Sequence, residues 1–199
     1  MTARKGHDMN RILIAAAGVA LLTACGPQTQ KSVQEKLAAG CRAEATNEWA
    51  VSDAVKLPIA GELVGPDCAN ADVTMTIRNV AGKTLYTYTM PVAPMMNTLF
   101  VDAKTEDDYK KGLTQWIDPS VGTGQNRTSE LPDWKADSDT AGDGDFPFMP
   151  DMSREDYARI RAADLPILCH IQGGESLACI AYDQKTGAIT KLGLQTFPG

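Results

Sequence analysis

Histidine is almost missing from this chain: His7 and His170 are the two among 199 residues. A Ser-His-Asp or Cys-His arrangement needs an imidazole as its base, so such chemistry would have to pass through one of them. Neither Gly-x-Ser-x-Gly nor Ser-x-x-Lys occurs to supply an activated serine. No Cys-x-x-Cys pair occurs, which removes the usual zinc-ligand spacing. Basic residues are outnumbered, with 19 Lys and Arg against 25 Asp and Glu. That balance excludes nucleic acid as the expected partner, because phosphates demand clustered Lys and Arg. Long apolar runs are absent too. The run at residues 12–22 is far short of the about 20 apolar residues that span a bilayer, and Asn97 and Thr98 interrupt the one at 92–101.

The run at 12–22 follows Arg4, Lys5 and Arg11 and ends in Leu22-Thr23-Ala24-Cys25. A basic start, a short apolar core and small residues at its end make a secretory signal peptide. Leu-Thr-Ala-Cys resembles the lipobox of bacterial lipoproteins, a resemblance confined to residues 1–26. It implies that Cys25 is lipidated, becomes the mature N-terminus and holds the protein to the membrane through acyl chains. It also implies the bacterial cell envelope, with the domain facing the periplasm. Gly26 is not the aspartate that retains many lipoproteins at the inner membrane, so the resemblance implies the outer membrane in preference to the inner. The expected organisation is a signal peptide at 1–24, a lipidated tether at 25–31 and one domain over 32–199. Losing Arg4, Lys5, Arg11 and Asp8 leaves 16 basic and 24 acidic residues, a net charge of −8. Such a surface does not adhere electrostatically to anionic lipid, so attachment falls to the acyl chains.

With Cys25 consumed by lipid, Cys41, Cys68, Cys169 and Cys179 remain, and an even number in an exported chain predicts disulfides. Cys169 and Cys179 flank Gly173-Gly174 and would face each other across a hairpin, as directly opposite residues in a non-hydrogen-bonded pair do. Cys41 then pairs with Cys68.

Ser32 and Glu35 have capping-box spacing, and Val33, Leu37 and Cys41 follow at helical intervals; this predicts a helix from 32 that continues through Ala45. Short strands at 54–57 and 61–64, broken at Pro58, are the reading of the next segment. Alternation at 73–77 and 84–90 around Gly82-Lys83 predicts a hairpin with Tyr86 and Tyr88 on one face. Thr105 caps a second helix that buries Tyr109, Leu113, Trp116 and Ile117. Residues 118–151 read as a long acidic loop pinned by Leu131, Trp134, Phe146 and Phe148. Ser153 starts a third helix, and strands at 167–172, 176–183 and 188–195 form a meander. The expected fold class is α+β: a single domain whose antiparallel sheet, hairpin plus three-stranded meander, has about three helices packed to one side.

Alternation puts His170 opposite Cys169 and Ile171, on the face expected to be less buried, so no catalytic residue is assigned. In the acidic stretch, Asp137, Asp139 and Asp145 fall at calcium-loop positions one, three and nine, with Gly142 at six. Ala141 and Phe148 occupy positions that need oxygen ligands, so this is a weak calcium candidate and no cofactor is expected. The expected function is a membrane-anchored envelope lipoprotein with a non-enzymatic binding, inhibitor or assembly domain and a protein partner. The alternative is a carboxylate-dependent hydrolase acting on envelope polymers, which would need two acids facing one cleft.

Overall fold

A computed structural model describes residues 40–122, 124–142 and 147–197. Four strands, β1 (Cys41–Ala50), β2 (Lys56–Gly65), β3 (Asp72–Arg78) and β4 (Thr84–Pro91), form one antiparallel sheet in sequential order. Its alternation is strict. Ala43, Trp49, Leu57, Ile59, Leu63, Val73, Met75, Ile77 and Met90 are buried on one face. Arg42, Glu44, Lys56, Glu62, Thr74 and Thr89 stand on the other, where Thr74 and Thr89 bond through their hydroxyls at 3.0 Å.

Two expectations are corrected here. Residues 41–50 are a strand rather than the end of a helix, because Ala43 and Ala45 alternate with Arg42, Glu44 and Thr46 and pair along the whole of β2. The remainder of that expected helix lies outside the described residues. Pro58 sits within β2 without breaking it: the ladder to β3 begins only at Ile59, so at Pro58 the strand has β1 alone beside it.

The second sheet contains β5 (Phe148–Pro150), β6 (Ile167–Gly173), β7 (Ser176–Asp183) and β8 (Ala188–Thr196), in the order β5-β8-β7-β6. The meander falls where alternation and its turns predict. Helix α1 (Glu106–Trp116) starts at a Thr105 cap that accepts from the Asp108 amide, while Asp108 accepts from the Thr105 amide at 3.0 Å. Helix α2 (Arg154–Ala163) is capped by Ser153 and ends at Asp164, which has φ 49°.

The second sheet is a middle layer with a core on each face. Leu168, Ile180 and Tyr182 pack with the first sheet and with Tyr109, Leu113, Trp116 and Ile117 of the α1 segment. Ile167, Cys169, Cys179, Ala181 and Leu192, which point the other way, pack with Tyr157 and Ile160 of α2 and with Leu131, Ala141 and Phe148. The chain therefore has two antiparallel sheets and two α-helices among the described residues, placed on opposite sides of the middle sheet. The expected single sheet with three helices on one side is corrected accordingly. Alternation reports that a residue faces inward but not which layer covers it.

Two glycines allow close approach. A Cβ on Gly61 would lie 2.9 Å from Ile117 Cγ2, so α1 rests directly on β2. Gly193, at φ 145°, lies against the Met149 carbonyl and Pro150, where a side chain would prevent β5 from pairing with β8.

Arginines hold the acidic stretch to α2. Arg161 donates to the Leu131 carbonyl at 2.9 Å and pairs with Asp133. Arg154 donates to the carbonyls of Lys135 and Ser138 and lies 4.6 Å over the Trp134 ring. Arg127 and Ser129 bond Asp164. Leu131 and Phe148 are buried and Trp134 is half-buried, as pins should be; Phe146 lies outside the described residues.

Candidate functional site: a groove between the two sheets

His170 lies between the sheets, 1% exposed, rather than on a solvent face. Tyr86 and Tyr88 reach it from β4 and Trp116 from α1, with ring centroids 6.0, 4.6 and 6.1 Å away. Its Nε2 is 3.0 Å from the Tyr86 hydroxyl and its Nδ1 is 3.3 Å from the Ile171 carbonyl. A carbonyl only accepts, which assigns the ring proton to Nδ1 and makes Nε2 the acceptor for the tyrosine. Burial pushes the imidazole down to about 4 and the Tyr86 phenol up to about 12. Both groups are neutral at neutral pH. The pair locks β4 to β6 and has no proton to exchange in the physiological range.

His170 ends a row that crosses the middle sheet: it pairs with Ala178, Ala178 with Leu194, and Leu194 with Met149. Three inter-strand steps make this row about 14 Å long. The first sheet covers it at His170 and leaves it at the far end, where Met149 is 48% exposed. The uncovered part is the floor of a groove of about 420 Å³, a volume in the range of ligand clefts. Tyr86 and Tyr88 form one wall, Pro150 and Asp151 the other, with Gln172 and Lys191 also lining it. Among the described residues, the side chains of Asp151, Gln172 and Lys191 have no hydrogen-bond or ion-pair partner. The groove thus combines an apolar floor and aromatic wall with an unpaired amide, carboxylate and ammonium.

A larger depression of about 570 Å³ lies on the solvent face of the first sheet, lined by Thr46, Glu48, Lys56 and Arg78. Its charges are already engaged. Lys56 pairs with Glu48 at 3.1 Å and Arg78 donates to Thr84 Oγ1 at 2.7 Å.

The other expected site residues fall elsewhere. Cys41 is joined to Cys68, tying the start of β1 to the β2–β3 connection, and Cys169 to Cys179 across β6 and β7. The second bridge packs in the core on the α2 side of the sheet, while Cys179 also contributes to the groove lining. Cys25 is outside the described residues. Asp137 and Asp139 are exposed, Asp145 is outside the described residues, and no metal-holding group of three His, Cys, Asp or Glu occurs among those described. In this stretch the Ser138 carbonyl already accepts from Trp134 Nε1 at 2.9 Å and from Arg154.

Sequence reasoning missed the groove. Its parts lie in five separate segments, and only the alternation of Tyr86 with Tyr88 hinted that β4 carries an aromatic wall. No family model, no curated protein and no solved structure matches the chain.

Proposed function

We propose that this protein is a bacterial envelope lipoprotein, anchored through acyl chains on Cys25, whose domain binds a partner non-enzymatically through the inter-sheet groove. The groove carries the reading: a preformed concave surface on which the side chains of Asp151, Gln172 and Lys191 have no partner among the described residues. Unsatisfied donors and acceptors beside apolar floor are what a recognition surface offers a ligand. Two disulfides suit an exported chain. The neutral Tyr86–His170 pair supports a binding role over acid–base chemistry, since neither group titrates near pH 7. The hydrolase alternative requires a second acid facing Asp151, and among the described residues the groove lining supplies Asp151 as its one carboxylate. Among the described residues no helix is long and apolar enough to cross a membrane.

Two variants test the two halves of this reading. Cys25→Ala should accumulate as precursor or soluble protein and leave the membrane fraction; full membrane association of that variant refutes the anchor. Crosslinking in intact cells should capture a partner with the wild-type protein and lose it with Asp151→Lys. Equal capture by both refutes the groove.

A further inference from the structure

β4 borders this groove through Tyr86 and Tyr88. β4 is the last strand of its sheet and pairs with β3 alone. Among the described residues, no backbone bond from residues 84–90 reaches anything beyond β3. An edge of this kind is a template for another strand unless it is blunted by charge, proline or a bulge. Pro91 stands at one end and the irregularity at Ile77/Arg78 at the other. The middle, Tyr86-Thr87-Tyr88-Thr89-Met90, has neither charge nor proline. Beside this edge lies the part of the row that the first sheet leaves open, Ala178, Leu194 and Met149. One strand laid next to β4 would satisfy its backbone groups and cover that floor together.

We infer that the groove takes an extended peptide segment of a partner protein, which adds as a strand to β4 and sets alternate apolar side chains on Ala178, Leu194 and Met149. This rests on the reading of the groove as a recognition surface. Main-chain bonds to β4 supply affinity, and the pockets under alternate residues supply sequence preference. Charge complementarity defines the rest of the occupant. Lys191 and Asp151 line the groove with opposite and unpaired charges, so the peptide carries an acid for Lys191 and a base for Asp151 on its polar face. A saccharide would meet Gln172, Asp151 and Tyr88 but leave the β4 backbone unpaired, which favours the peptide.

The test uses the lipid-anchored full-length protein in detergent micelles and a phage-displayed library of random heptapeptides. Enriched peptides should alternate apolar with polar residues. A synthetic peptide from the selection should bind roughly tenfold more weakly to Lys191→Glu or Asp151→Lys, both exposed substitutions on a folded domain. On binding, amide hydrogen exchange should slow at alternate residues of β4. Peptide binding that leaves β4 exchange unchanged, or that ignores both charge reversals, overturns the proposal. A β-1,4-linked N-acetylglucosamine oligomer forms the second arm. Its binding, if weakened by the same variants without β4 protection, overturns strand addition and leaves the recognition groove standing. Failure of peptide and oligosaccharide alike overturns both. Concentration-dependent dimerisation that protects the β4 amides without peptide assigns the edge to a second copy and overturns the partner strand.

Discussion

His170 concentrates the residue-scale argument. Its neutral form is favoured in the folded state, where burial pushes it down to about 4, whereas an unfolded histidine titrates near 6.5. As pH falls below about 6.5 the unfolded chain takes up a proton that the folded chain refuses, so stability falls until about pH 4 and is fully present above 6.5. The span corresponds to about 3 kcal/mol. Urea midpoints between pH 7.5 and 4.5 should therefore fall more steeply for wild type than for His170→Gln. Parallel slopes, or an imidazole resonance titrating near 6.5, would contradict the buried assignment. Tyr86→Phe leaves the Nε2 acceptor unsatisfied inside the protein, a loss of about 1–3 kcal/mol.

Elements here depend on particular close approaches. β5 is three residues long and joins the sheet because Gly193 lets the Met149 carbonyl and Pro150 come against β8. Gly193→Ala should release β5, seen as fast exchange of the Asp151 amide that donates to the Leu192 carbonyl at 2.9 Å. It should also open the groove wall that β5 supplies. Retained protection of that amide would show that the sheet accommodates the methyl. The cross-strand bridge of Cys169 with Cys179 and the Cys41–Cys68 bridge close loops with sequence separations of 10 and 27. Chain-entropy reasoning assigns them about 3 and about 3–4 kcal/mol.

For the whole molecule, the decisive arrangement is a sheet sandwiched by two cores. Neighbouring residues of one strand, Leu168 and Cys169, belong to different cores, so loss of either core removes one face of the same strands. A single cooperative transition is expected. Phe148→Ala, in the core beside α2, should cost about 3–5 kcal/mol and lower the melting of the distant core equally. Fluorescence of single-tryptophan variants retaining Trp116 or Trp134 should report coincident midpoints. Separate midpoints would divide the chain into two independently folding parts.

The chain's local patterns were enough to determine much of this architecture. The meander at 167–196, the hairpin around Gly82-Lys83 and the caps at Thr105 and Ser153 follow from alternation, turn residues and side chains that satisfy the first helical amides. The cross-strand cysteines follow from the hairpin that holds them. Other features were beyond such patterns. Residues 41–50 carry alanines and charges compatible with helical spacing, and only pairing with β2 makes them a strand. The polar stretch at 118–151 lacks periodicity, and only arginines of α2 and a second core give its described part a place. His170 has the same alternation whether its face meets water or another sheet. The groove was decided at tertiary level for the same reason: it forms where the second sheet runs out from beneath β4, and no local pattern encodes where one layer ends above another.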